Sequence, residues 1–210
     1  MENFRFHNTV EIIFGKDTEN LIGKEVKKYA DKILFHYGGD TIKKIGLYDR
    51  ILMSLRKEGI TFIELSGVKP NPVLSKVQEG IKICRANDIK FILAVGGGSV
   101  IDSAKAISVG IPYSGDVWDF FIAKAKPSSA IDLGVILTVP AAGSESSVVS
   151  VISNEETMLK KGAHSHLMLP KFAILNPEIT FTINPYQTAC GAAEDRKSTR
   201  LNSSHIWISR

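Results

Sequence analysis

The sequence predicts an α/β fold, a mostly parallel sheet with helices on both faces. Three observations point there. Between Asp31 and Val109, short apolar runs alternate with segments whose apolar residues recur every three or four positions. The short runs are mostly apolar and do not alternate cleanly, as strands covered on both faces are. Each glycine-rich or polar cluster falls just past the end of a run: Gly38-Gly39, Ser66 to Pro72, Gly96 to Ser99, and Pro140 to Glu145. In such sheets ligands bind outside the carboxyl ends of the strands.

Lys32 to Tyr37 (KILFHY) reads as a buried strand that Gly38-Gly39 ends. The next segment is expected to be one helix, with Ile45, Tyr48, Leu52 and Leu55 on one face and Gly59 as its stop. Ile60 to Leu65 is a second strand. Asn71-Pro72 has the form of an N-cap followed by proline at the first helical position, and the helix it starts carries Leu74, Val77, Ile81 and Cys84. Phe91 to Val95 is a third strand. Ser99 opens the next helix, with Val100, Ala104 and Ile107 on one side. Val135 to Val139 is the fourth strand, Val148 to Ser153 the fifth and Phe172 to Leu175 the sixth.

At 210 residues and 44% hydrophobic, the chain can build one sizeable domain or two small ones. No apolar run reaches the ~18 residues needed to span a bilayer. The first residues lack the basic-then-apolar order of a secretion signal. Cys84 and Cys190 form no CxxC pair, which predicts reduced thiols and a cytoplasmic protein. The net charge of +4 invites a nucleic-acid reading. Residues 196–210, however, hold four basic residues and no acidic one, leaving 22 basic against 22 acidic elsewhere. The body therefore has no electrostatic footprint for DNA, RNA or a membrane.

The strongest local signal is LAVGGGSVIDSAKA, Leu93 to Ala106. Glycines after a strand let the backbone approach a ligand with no Cβ in the way, and a helix N-terminus favours phosphate. Taken alone, the pattern also fits a tight turn with a serine cap. Asp102 reads either as part of that site or as a first-turn carboxylate placed on the helix dipole. Gly38-Gly39-Asp40 can hold the adenosine side of a dinucleotide, with Asp40 on a ribose hydroxyl, or Asp40 can be an ordinary N-cap. A carboxylate there favours NADH, because it repels a 2′-phosphate. LTVPAAGSES can line a cofactor or simply turn. His164 and His166 read as solvated loop histidines rather than metal ligands.

Read together, these segments closely resemble the iron-containing, or group III, alcohol dehydrogenases, the butanol-dehydrogenase branch most of all. The resemblance runs from Phe4 to Ala193. It is carried by FRFHNTVEIIFGK, YGGDTIKKIGLYD, SGVKPNP, VGGGSVIDSAKAI, LTVPAAGSE, VISNEET and PKFAILNPEITFTINPYQTACGAA, in that order. It implies a Rossmann-like, dehydroquinate-synthase-like amino-terminal domain over 1–185 and the start of an all-helical metal-binding domain over 186–194. It implies NAD(P)H as cofactor, a divalent Fe²⁺ or Zn²⁺ ion, a short primary alcohol or aldehyde as substrate, and a dimer as one assembly of the intact enzyme. The family contacts its dinucleotide at positions that fall on Gly38, Gly39, Asn71, Gly97, Gly98, Ser99, Asp102, Thr138, Ser144, Val151 and Lys160.

Several positions depart from the pattern. Asp40 stands where the branch usually has glycine, Ala142 where it has threonine, and Asn176-Pro177 where it has Asp-Pro. The metal-ligating aspartate position is Glu194, and a histidine ligand four residues later is Ser198. Two further histidine ligands would fall past Arg210. Residues 195–210 are serine-rich and basic with no helical period. They read as a foreign tail outside the fold, and the chain is therefore expected to be an inactive amino-terminal half. Polyol or glycerol dehydrogenases of the same architecture, and a non-catalytic nucleotide-binding fragment, are the alternatives.

Overall fold

In the computed structural model the described residues are 8–193. Glu194 and the tail from 195 lie outside them. Eight strands and six helices follow in order: β1 Glu11–Phe14, α1 Ile22–Lys27, β2 Lys32–Tyr37, α2 Thr41–Lys44, α3 Leu47–Lys57, β3 Thr61–Leu65, α4 Leu74–Ala86, β4 Phe91–Gly96, α5 Gly98–Gly110, α6 Trp118–Phe121, β5 Asp132–Leu137, β6 Val149–Asn154, β7 Leu159–His164 and β8 Phe172–Leu175. Residues 185–193 are again helical. Asn184 caps that segment, accepting from the Gln187 N–H at 2.8 Å, with Pro185 at its first position.

Six strands form one sheet in the order β1-β8-β5-β4-β2-β3, and every neighbouring pair is parallel. Period-two alternation along each strand divides the core. Leu34, Ile92, Ala94 and Val135 face α4, α5 and α6, whereas Ile33, Phe35, Leu93 and Ile136 face α1 and α3. Helices thus cover both faces, as the sequence predicts. The chain runs outward from β2 to β3, crosses back to β4 on the other side of β2, and continues to β5. The topological switch point therefore lies between β2 and β4, and in open α/β sheets that is where a ligand crevice opens.

Several expectations are corrected. The segment expected to be one helix through Ile45 is two, because Gly46 adopts φ +69° between α2 and α3. The stop at Gly59 is real. With φ +69°, its N–H bonds the Arg56 carbonyl at 3.0 Å while the Ile60 N–H reaches the Leu55 carbonyl at 3.0 Å, a Schellman pattern.

Asn71 is not an N-cap. It sits at φ +58°, and α4 begins three residues later with Val73 at the cap position. The cap that Asn71 does not provide comes from elsewhere in the chain, since the Glu155 carboxylate accepts from the Ser75 N–H at 3.3 Å. Ser99 is not a cap either. Gly97 holds that position with φ −88°, and Gly98 is already helical. Asp102, the fifth residue of α5, lies beyond the first turn.

The fourth strand is Asp132–Leu137 and not Val135–Val139. Gly134 hid its start. A Cβ there would lie 2.3 Å from the Phe172 ring, so the sheet needs glycine where β-propensity argues against it. The expected fifth strand exists as β6 but is not in the main sheet. It pairs antiparallel with β7, a polar strand the sequence does not announce. This hairpin docks on the β3–α4 loop, where the Ser153 N–H donates to the Pro72 carbonyl at 2.9 Å.

Candidate functional site

The switch point brings the two glycine clusters together. Gly38-Gly39 follow β2 and Gly97-Gly98 follow β4. An ideal Cβ on Gly38 would lie 3.6 Å from the Val100 side chain of α5. The Thr138 N–H bonds the Gly96 carbonyl at 3.1 Å, which sets the end of β5 beside the same loop.

The consecutive glycines have different reasons. A Cβ on Gly96 would meet Val100 Cγ2 at 2.5 Å, so glycine there serves close strand–helix packing. A Cβ on Gly97 would come within 3.3 Å of Val139 Cβ, and one on Gly98 would find only Ala142 Cβ at 3.8 Å. A Cβ on Gly39 would have nothing within 4 Å. The backbone at Gly39 and Gly98 therefore borders open space.

Gly97 is in extended backbone geometry that any residue can adopt, so the turn itself does not demand glycine there. The Gly97 carbonyl accepts from the Val100 and Ile101 N–H groups at 3.0 and 3.2 Å. The Gly98 and Ser99 N–H groups belong to the helix end that has no intrahelical acceptor. With thirteen residues, α5 directs its full dipole at this point.

A second group gathers around Asp102. Its carboxylate accepts from the Ser144 hydroxyl at 2.6 Å and from the Val151 N–H at 3.0 Å. Burial raises the pKa of this carboxyl, and the bonds to Ser144 and Val151 oppose the rise. Asp102, Ser144 and Val151 are thus one unit, joined by one side-chain and one backbone donor to the Asp102 carboxylate.

Lys160 and Asn71 form a third unit, with the Lys160 ammonium donating to Asn71 Oδ1 at 2.7 Å. Asp40 stands apart. It holds the position before α2 without a side-chain capping bond, and its side chain is 77% exposed and 3.7 Å from Lys43.

Lys105, His36 and Glu155 went unnoticed in the sequence. Lys105 and His36 are fully buried. His36 bridges the Leu65 carbonyl at 2.9 Å and the Ser103 hydroxyl at 3.0 Å, tying β2 to β3 and α5. Lys105 was findable, because it falls four residues after Ile101 on a helix whose surrounding positions are apolar, and so on a buried face.

Among the described residues no group of three or more His, Cys, Asp or Glu can hold a metal ion. His164 and His166 are both exposed. The described residues therefore do not fit a divalent ion, and Glu194 lies outside them. They do fit a dinucleotide, through the helix N-terminus and the glycine positions where a Cβ would enter open space. A cavity of about 820 Å³, walled by Val139, Pro140, Phe181, Ile183 and Cys190, adjoins the β5 end of this site. Among the described residues no helix is long and apolar enough to cross a membrane.

Comparison with known proteins agrees with this geometry. The chain is 47% identical over 194 residues to the probable NADH-dependent butanol dehydrogenase 2 of Bacillus subtilis, covering 92% of this chain and 50% of that protein. It is 37% identical over 197 residues to the NADPH-dependent aldehyde reductase of Escherichia coli, again covering 92% and 50%. The crystal structure of NADH-dependent butanol dehydrogenase A from Thermotoga maritima superposes with a TM-score of 0.87 at 47% identity, covering 91% of this chain and 48% of that one. The chain thus spans about half the length of these relatives. The family profile described as iron-containing alcohol dehydrogenase matches residues 9–177, and the chain belongs to that family.

Proposed function

We propose that this chain is the dinucleotide-binding part of an NADH-linked alcohol dehydrogenase acting on short primary alcohols and aldehydes. The carrying observation is the meeting of two glycine loops and the α5 N-terminus at the switch point between β2 and β4. In this reading the Gly98 and Ser99 N–H groups hold the pyrophosphate, and Gly38-Gly39 pass beneath the adenosine. Asp40 accepts from a ribose hydroxyl, while Asn71 and Lys160 reach the cofactor from the hairpin side. Thr138 and the Ser144–Val151 segment flank the nicotinamide half, which opens on the apolar cavity beside Val139. Bound there, the nicotinamide supplies or accepts the hydride. The chain's own groups bind, orient and exclude water.

NADH is favoured because Asp40 opposes a 2′-phosphate, and the NADH-dependent butanol dehydrogenases among the relatives support that preference. We assign residues 1–185 to the cofactor domain and place the start of a second domain at 186–194. The free thiols support a reducing, cytoplasmic setting. A small alcohol or aldehyde is the partner, and a homodimer is one assembly open to the intact enzyme.

The expected outcome for the 210-residue chain is NADH binding without alcohol turnover, since Glu194 is its one position that falls on the family's metal ligands. Calorimetry with NADH tests the first half of this statement. Butanal reduction with added Fe²⁺ or Zn²⁺ tests the second. Turnover above the metal-free blank would mean that this chain does hold the ion, and His164 and His166 would then be the first residues to replace.

A further inference from the structure

Lys105 lies midway along α5 with no exposed surface. Its ammonium has three protons and meets four oxygens: the Ser144 carbonyl at 2.6 Å, the Ser144 hydroxyl at 3.1 Å, the Ser147 carbonyl at 2.7 Å and the Val149 carbonyl at 2.9 Å. All four belong to one six-residue segment, which has only a single 3-10 turn of regular structure before β6. Carbonyls removed from water need donors, and here one buried side chain supplies them to the start of β6 and the loop before it.

One turn earlier on the same helix, Asp102 collects the donors of this segment, taking the Ser144 hydroxyl and the Val151 N–H. The Ser150 hydroxyl adds a bond to the Asp102 carbonyl at 2.8 Å. An ammonium and a carboxylate on successive turns thus grip the acceptors and the donors of one loop. Buried charge of this kind gives little net stability, but it specifies a conformation by penalising every arrangement that leaves a partner unmet.

We infer that Lys105 is a positioning residue of the dinucleotide site, its buried ammonium fixing the 144–149 segment and, through it, the Ser144 hydroxyl and the Val151 backbone. The inference rests on the dinucleotide reading above. It adds a residue that touches no cofactor yet sets the shape of one wall of the site.

A pH dependence follows. Burial pulls the Lys105 pKa down from its ordinary value to about 8, against the upward pull of Asp102 on its own helix and Glu145 on the pinned segment. As pH rises through that value, the folded chain's ammonium becomes an amine with two protons for four acceptors, and the grip weakens. The sign for global stability is opposite. The folded pKa lies below that of an unfolded lysine, so proton loss in the folded chain relieves a burial cost and Lys105 itself adds stability as pH rises. A ligand-affinity loss in this range is therefore a local effect and not general unfolding.

The test uses the 210-residue chain, wild type and Lys105→Met, with NADH calorimetry from pH 6.5 to 9.5 and hydrogen exchange of the 144–151 backbone at pH 7. The wild type should lose at least fivefold in affinity with a midpoint near pH 8. The variant should bind at least tenfold more weakly at pH 7, show a flat profile, and exchange faster at 144–151 alone. A folded variant with wild-type exchange and affinity would overturn the inference. If the variant fails to fold, a flat wild-type profile overturns it and a fall near pH 8 upholds it. If the wild type binds no NADH at any pH, the dinucleotide reading fails, and exchange at 144–151 still decides whether Lys105 pins the segment.

Discussion

Replacing Gly98 with alanine should stabilise the chain and weaken NADH binding at the same time. The two effects have separate origins. Gly98 is the first residue of α5, with a backbone that alanine adopts freely. The added methyl would touch only Ala142 Cβ at 3.8 Å, an ordinary contact. Gly→Ala at a compatible site gains about 0.4–1 kcal/mol, mainly by restricting the unfolded chain, and the first helical turn belongs at the low end. For a chain of this size that is a rise of about 1–3 °C in Tm.

The same methyl projects into the space beside the Gly98 and Ser99 N–H groups, where a pyrophosphate would lie. Losing one charge-assisted hydrogen bond costs about 1.5–3 kcal/mol, roughly a ten- to hundredfold loss in affinity. Thermal unfolding and NADH calorimetry on the same preparations read both quantities. A variant that gains stability and keeps its affinity refutes the placement of the phosphates at Gly98.

Two further perturbations carry numbers. Asp40→Gly should narrow the ratio of NADPH to NADH dissociation constants by about five- to thirtyfold. At ~4 Å in water-like surroundings, each unit charge on the 2′-phosphate costs about 1 kcal/mol, and Asp40 is too exposed, and too near Lys43, for more. An unchanged ratio removes Asp40 from the site. His36 should make the fold acid-sensitive. Burial, opposed by its bond to Leu65, lowers its pKa to about 4, so below pH 6.5 the unfolded chain takes up a proton that the folded chain refuses. Stability should therefore fall between pH 6.5 and 4 by about 3 kcal/mol, an order-of-magnitude figure, and His36→Gln should flatten that part of the urea-denaturation profile. Equal slopes in the two proteins would show that His36 is not the acid-sensitive group.

The layer architecture was legible because its cause is local. KILFHY and FILAV are apolar enough to be recognised as strands covered on both faces, and Gly59 marks its helix end by a conformation few other residues accept. The main-sheet strands that the sequence hid or misplaced have causes elsewhere in the fold. β1 is a four-residue edge strand whose Glu11, Ile12 and Phe14 lack the apolar-in, polar-out signature. The start expected for β5 falls three residues late, because its third residue, Gly134, is a glycine required by a ring from β8.

The candidate site divides in the same way. Gly38-Gly39 and Gly97-Gly98 were visible as glycines after strands. That Asp102, Ser144 and Val151 form one unit was not visible, because they are joined by bonds spanning 42 and 49 residues. Lys105 was passed over because a lysine is read as solvated by default. Only its place among apolar neighbours on α5 signals burial.

The most direct test of the dinucleotide reading is amide chemical-shift mapping of the isotope-labelled chain during an NADH titration. The account predicts the largest changes at Gly38, Gly39, Gly97, Gly98 and Ser99, with smaller ones at Asn71, Thr138 and Val151. Changes confined to other surfaces, or none at millimolar NADH, would contradict it.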